Sequence, residues 1–326
     1  MKSLLFITFL YLTFSSLSYA NEYLPGVSKF IDEMHDEHGF DKAELQTVFE
    51  QVNVKKSILK AIARPAEKSK PWYDYRKIFI TQKRINNGAV FWQANKSTLV
   101  KAEREFGVPA EIIIAILGVE TSYGGNVGGY RVVDALSTLA FRYPPRSKFF
   151  RSELGHFLFL TREEKMSILT PMGSYAGAMG LGQFMPSSFR AYAIDFDGDG
   201  KRDIWTNPTD AIGSIANYLN RHGWVAGESI AHKTSVAGSA PVALLEKGTK
   251  PEIKRDELAN AGVSTISLPS DTTQLAIISL TQLDGEEYWL TRQNFYSITR
   301  YNHSRMYAMA VTQLATLISQ EYKLTN

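Results

Sequence analysis

Between Asp195 and Ile204 (DFDGDGKRDI), carboxylates alternate with small residues in a way that an ordinary solvated loop does not require. Asp195, Asp197 and Asp199 fall at relative positions 1, 3 and 5 of a calcium-binding loop, Gly200 at the sharp turn of position 6 and the Lys201 carbonyl at position 7. Hard oxygen donors of this kind select calcium over transition metals. The pattern departs at position 12, where Thr206 stands in place of a bidentate glutamate, and Asp203 at position 9 could act through water. A solvated acidic turn is the competing reading of the same residues.

A lone acid is the second chemical feature. The stretch Ile112–Val119 (IIIAILGV) is apolar on every face, so its helix is expected to run through the core, and Glu120 follows at its end. Desolvation and the negative end of the helix dipole both disfavour the glutamate anion, and a carboxyl kept protonated near neutrality is what a general acid must be. The competing reading is a helix-terminal glutamate that simply reaches solvent. Thr121, Ser122 and Tyr123 add hydroxyls and a ring beside the acid, and Gly173–Phe189 (GSYAGAMGLGQFMPSSF) follows farther along. Its glycines leave room for backbone to approach a bulky ligand, or for close packing, while Met179 and Met185 read as packing residues.

The elements that must hold these residues are mostly helical. Val27, Phe30, Ile31 and Met34 form one amphipathic stripe, and Asp41 with Glu44 signals the capped start of the next helix. Further helices are expected near Lys55–Ala63, Trp72–Ile80, Gly88–Phe106 and Pro109–Glu120, the last with Pro109 in its first turn and Gly124-Gly125 as its stop. After Trp224 the helical period lapses. Leu275–Leu283, a tight turn at Asp284-Gly285 and Tyr288–Leu290 read as a hairpin, with Val263–Leu268 a further strand. The helical period returns over Tyr301–Leu317.

At 326 residues with 44% hydrophobic content the chain can bury a large core, and a net charge of +3 does not argue for nucleic acid. Residues 1–20 read as an export signal, with Lys2, an apolar stretch from Leu4 to Phe14, and a cleavage-like Ser18-Tyr19-Ala20. There is no cysteine, which excludes disulfides and a lipidated cysteine and leaves a soluble periplasmic protein as the expectation. His35 and His38 lack a metalloprotease arrangement and read as a polar helix face; no phosphate loop, nucleophile elbow or dinucleotide fingerprint is present.

ETSYG (Glu120–Gly124), the Gly/Ala-rich segment, the aspartate loop and YNHSRMYAMAV (Tyr301–Val311), in that order, resemble the lytic murein transglycosylase B family of bacterial cell-wall enzymes. The resemblance implies a mainly α (α+β) fold: a helical N-terminal region (21–107), a lysozyme-like catalytic core with an EF-hand-like calcium loop (108–224), a small β-rich insertion (225–298) and a C-terminal helix returning to the core (299–326). It implies that Glu120 protonates the glycosidic oxygen between N-acetylmuramic acid and N-acetylglucosamine in peptidoglycan, then takes the C6 hydroxyl proton as a 1,6-anhydromuramic end forms. Such chemistry needs no second carboxylate across the bond, since the substrate's own acetamido group can stabilise the oxocarbenium-like centre. Ser174 and Gln183 match positions that hydrogen-bond sugar and acetamido groups. Tyr75, Tyr218, Tyr301, Asn302 and Tyr307 match cleft positions.

Arg146 alone remains of a common arginine pair that could face the peptide carboxylates, Pro145 standing at the other place. The resemblance also gives Asp210, four residues beyond Thr206, the closing ligand role on a structural Ca2+, with no organic cofactor. Peptidoglycan strands are the implied partner, with wall synthesis or remodelling proteins as further ones, and a monomer is expected. Two readings stay open beside it: a hydrolytic muramidase using the same acid, and a non-catalytic calcium-braced glycan-binding scaffold.

Overall fold

The computed structural model describes residues 24–63, 70–266, 268–269 and 274–325; the expected export signal lies outside them. Helix α1 (Val27–Asp36) buries the stripe Val27, Phe30, Ile31 and Met34. Helix α2 (Lys42–Glu50) begins at Asp41, whose side chain accepts from the Glu44 N–H at 2.7 Å, as the capping signal requires. Helices α3 (Lys56–Ile62) and α4 (Trp72–Phe79) follow.

The single helix expected over Gly88–Phe106 is two, α5 (Gln82–Ala94) and α6 (Lys96–Phe106). Asn95, at φ −119° and ψ 22°, separates them, and its side-chain amide donates to the Phe91 carbonyl at 2.9 Å beside its own backbone N–H, which donates to the same carbonyl at 3.1 Å.

Helix α7 (Ala110–Thr121) carries the apolar run, and every residue from Ile112 to Val119 is buried. Pro109 caps it rather than entering its first turn, and the helix stops at Ser122, before the glycine pair named as its stop. The chain then crosses a two-residue pair, β1 (Tyr130–Arg131) with β2 (Met172–Gly173), antiparallel with Tyr130 opposite Gly173. Between those strands lie α8 (Val132–Arg142), a 3-10 turn at Pro144–Arg146 and α9 (Ser147–Glu163). Helices α10 (Pro186–Tyr192) and α11 (Pro208–Arg221) flank the aspartate loop.

The remaining strands are β3 (Ala231–Thr234), β4 (Ile253–Lys254), β5 (Gln274–Gln282) and β6 (Gly285–Thr291), with short helices α12 (Val242–Leu245) and α13 (Arg255–Asn260) between. They form an antiparallel sheet in the order β3-β6-β5-β4. Gln282 pairs with Gly285, so the hairpin turns at Leu283-Asp284, one residue before the expected position. The strand expected over Val263–Leu268 is reduced to one bridge, Val236 with Val263.

Strand β5 is buried on both faces, which explains its imperfect alternation. Leu275 and Ile277 join a small local core with Leu258 and Leu290, while Ile278 and Leu280 join the main core. The last helical stretch is again two helices, α14 (Gln293–Tyr301) and α15 (Arg305–Thr325), and Ser304 caps the second through a bond from the Tyr307 N–H. Both α15 and α5 pack on α7. The fold is thus mainly helical with small sheets, and no helix of the described residues is long and apolar enough to cross a membrane.

Candidate active site

Glu120, near the end of buried α7, is itself half-buried. From α15 the Tyr307 phenol, 2% exposed, donates to Glu120 Oε1 at 2.5 Å. Burial first, and then the Glu120 charge, push this phenol well above the usual tyrosine range, so it stays protonated as a donor. A donated hydrogen bond favours the ionised carboxylate, opposite in sense to the desolvation and dipole expected from sequence. We predict that Tyr307→Phe lowers kcat about tenfold with KM nearly unchanged, because a hydrogen bond to a charged group contributes roughly 1.5–3 kcal/mol and here orients the carboxyl. Steady-state kinetics on purified glycan strands would check this; an effect confined to KM would contradict it.

The turn after Glu120 is held by contacts that the sequence reading did not identify. Ser122 and Tyr123 both occupy the left-handed region, at φ 52° and 63°, which side chains rarely adopt. The Tyr123 hydroxyl donates to the Arg84 carbonyl at 2.8 Å and fills a notch between α5 and α7. A methyl on Gly88 or Gly118 would lie 2.7 or 2.6 Å from that oxygen, so only glycine leaves room. The Arg84 guanidinium, its pKa lowered by burial, donates to the Ile78 and Phe79 carbonyls at 2.7 Å each and to Ser122 Oγ at 3.3 Å. Thr121 Oγ1 donates to the Leu181 carbonyl at 2.8 Å and accepts from the Gly124 N–H at 3.0 Å. Two glycines one helix apart and an arginine after a helix end were the available signals, but nothing local pairs them.

The Gly/Ala-rich segment therefore abuts the acid through Thr121. Its turn is closed by paired bonds between Met179 and Phe184 and tied outward by the Leu181 N–H to the Ile204 carbonyl at 2.9 Å. At Gly180 an added methyl would meet the Ile204 carbonyl at 2.5 Å, so close packing explains that glycine. Gln183, at φ 54°, donates from Nε2 to the Val127 and Gly180 carbonyls at 3.2 and 2.9 Å. Ser174 Oγ accepts from the Ala178 N–H at 3.1 Å.

Three tyrosines form a wall beside Glu120. The Tyr301 ring lies parallel to Tyr307 with centroids 6.5 Å apart, and its hydroxyl donates to the Gly182 carbonyl at 2.5 Å. Tyr218 meets Tyr301 edge-on at 4.8 Å, donates to the Arg300 carbonyl at 2.5 Å and stacks on His222 at 4.1 Å. Asn302 ends α14, half-buried. Tyr75 is fully buried with its ring against Trp72 and Phe79, and it lies near enough to Tyr307 to help raise that phenol's pKa. Arg146 is exposed with its guanidinium 4.4 Å from the Phe149 ring, over the first turn of α9.

In the aspartate loop, carboxylate oxygens of Asp195, Asp197 and Asp210 lie within 4.8 Å of one another. Asp199 is not in that group; its Oδ1 accepts from the Lys201 N–H at 2.9 Å. Asp195 accepts from the N–H groups of Gly200, Gly198 and Asp199, the first of these doing most to hold its carboxyl below the usual range. Asp210 is fully buried, accepts from the Phe196 and Asp203 N–H groups at 2.8 Å each, and has its pKa raised by that burial. Three converging carboxylates, one of them buried, form a group that could hold a metal ion, and oxygen donors suit a hard divalent cation. Asp203 is engaged with the Trp205 and Thr206 N–H groups, both at 2.9 Å.

Residues 23–316 match the family described as "Transglycosylase SLT domain". The chain is 42% identical over 304 residues to membrane-bound lytic murein transglycosylase B of Escherichia coli (strain K12), covering 90% of this chain and 83% of that one. Its structure is similar to soluble lytic transglycosylase SltB1 from Pseudomonas aeruginosa, at 50% identity and TM-score 0.86 over 91% of this chain and 99% of that one. It is likewise similar to the Escherichia coli lytic transglycosylase Slt35 in complex with calcium, at 40% identity and TM-score 0.83 over 93% and 95% of the two chains. The lysozyme-like, mainly α fold expected from sequence is shared with these structures. A half-buried glutamate gripped by a tyrosine, on a fold matched along nearly its whole length, places this chain in the lytic murein transglycosylase B family.

Proposed function

We propose that this lytic transglycosylase cleaves the β-1,4 bond between N-acetylmuramic acid and N-acetylglucosamine with Glu120 as its acid and then its base. The observation that carries the reading is the Glu120 carboxyl, presented half-buried from the end of an apolar helix and oriented by the Tyr307 phenol at 2.5 Å. Burial favours the neutral acid and the phenol's hydrogen bond favours the anion, so one group is served in both of its proton states. Glu120 first gives its proton to the bridging oxygen. It then accepts the proton of the C6 hydroxyl as that oxygen closes on the anomeric carbon, leaving a 1,6-anhydromuramic end. Ser174 and Gln183 supply hydroxyl and amide groups for sugar and acetamido oxygens on the segment tied to Thr121. Tyr218, Tyr301 and Asn302 complete the wall, and the exposed Arg146 would face the carboxylates of the muramyl peptide.

Asp195, Asp197 and Asp210, with the Lys201 carbonyl, would hold calcium, which supplies charge that lets three carboxylates share one loop. Asp199 would join them only by turning its carboxylate from the Lys201 N–H. The ion braces the fold and enters no step. Residues 1–20 carry the chain to the periplasm, where peptidoglycan lies. Mass spectrometry of fragments released from purified sacculi tests the reaction: anhydro ends, one water lighter than reducing ends, are expected, and reducing ends alone would make the enzyme a hydrolytic muramidase.

A further inference from the structure

Three unfavourable features gather behind the acid. Ser122 and Tyr123 hold consecutive left-handed backbone angles, φ 52° and 63°, that only glycine adopts freely. Arg84, on the first turn of α5, carries a half-buried guanidinium that no carboxylate pairs among the described residues. Its Nε is buried with no hydrogen-bond partner among them. Each of these lowers stability, and strain of this kind persists where surrounding contacts over-determine it, above all at sites whose geometry is used.

The contacts that impose it close a ring around Glu120. Ser122 Oγ, two residues on, accepts from Arg84 Nη2 at 3.3 Å, and the Tyr123 hydroxyl donates to the Arg84 carbonyl at 2.8 Å. Arg84 Nη1 donates to the Ile78 and Phe79 carbonyls at the end of α4, both at 2.7 Å. From α4, Arg76 Nε donates to Gln313 Oε1 on α15 at 2.7 Å, and α15 returns to the acid through Tyr307. Arg84 is the junction of that ring. Its planar fork meets two carbonyls of one helix end and a hydroxyl of the turn, an arrangement that a lysine ammonium on a flexible stem does not reproduce.

We propose that Arg84 is a positioning residue, which holds the turn after Glu120 against the end of α4 and thereby keeps the acid in register with the Tyr307 phenol. The inference rests on the reading of Glu120 as acid and base given above. Arg84 acts through that carboxyl and not on the sugar. Without the fork the strained turn relaxes, and the carboxyl spends most of its time in orientations that do not face the bridging oxygen.

The test is a double-mutant cycle on purified glycan strands. Arg84→Lys, which keeps the charge and removes the fork, is expected to lower kcat about tenfold with KM changed less than twofold. Combined with Tyr307→Phe it should lower kcat less than twofold below the Tyr307 variant alone, because both changes release the same contact. Ser122→Ala, at an exposed residue, guards against a folding defect in the Arg84 variant and is expected to lower kcat about threefold, again with KM nearly unchanged. A hundredfold, multiplicative loss in the double variant would make Arg84 a general structural brace, and full activity in Arg84→Lys or Ser122→Ala would leave the ring without a role in turnover; each overturns the proposal. Turnover retained by Glu120→Gln would instead overturn the reading beneath it.

Discussion

Glu120→Gln is expected to lower kcat/KM for release of soluble fragments by about 10³-fold or more, with the melting temperature changed by no more than about 2 °C. Glutamine keeps the shape of the side chain and an oxygen that can accept from Tyr307, so the contact at 2.5 Å and the helix end survive. What it cannot do is give and recover a proton at the bridging oxygen. Because the side chain is only half-buried, its neutralisation leaves no uncompensated charge in the core. Fragment release by chromatography, beside a thermal melt, separates the outcomes. Lost release with an intact fold removes the reading of the chain as a passive glycan-binding scaffold; undiminished release would remove Glu120 from the mechanism.

Asp210→Ala is expected to cost about 3 kcal/mol and about 10 °C in melting temperature. Asp210 is fully buried, and its loss leaves the Phe196 and Asp203 N–H groups without their acceptor while taking one carboxylate from the cluster of three. The loop is pressed onto α11, where a methyl on Gly213 would meet the Phe196 ring at 2.4 Å, and Ser214 accepts from the Ile194 N–H at 3.0 Å. Through Ile204 and Leu181 it also holds the segment against Thr121. Chelation of the wild type should lower the melting temperature as well, and should add little to the variant, since both act on one site. Turnover at low temperature should persist. A chelator that stopped turnover without shifting the melt would show that the ion does more than brace.

How much was legible varies with the range of the interaction. The burial of Ile112–Val119 and the stripe of α1 follow from local periodicity, because a helix repeats every 3.6 residues wherever it packs. The break at Asn95 was missed since asparagine in a helical pattern is only weakly unfavourable, and its back-bond to Phe91 shows only in three dimensions. The hairpin turn moved by one residue because Gly285 opens β6 rather than closing the loop. Tyr75 and Tyr307 could not be told apart by residue type. One is sealed in the core between Trp72 and Phe79, and the other aims its hydroxyl at Glu120 from a position 187 residues away.

The sequence by itself determined the acid, the apolar helix that carries it, the alternating aspartates and the kinship that joins them. Those are properties of residue type and short spacing, written within a few turns of chain. Tertiary structure alone decided that Tyr307 orients the acid, that Arg84 and Tyr123 lock the turn behind it, and that Asp210 is fully buried where it meets Asp195 and Asp197. Each of those is a hydrogen bond or a charge cluster whose partners meet only when separate helices and loops pack, and no local period encodes such a meeting.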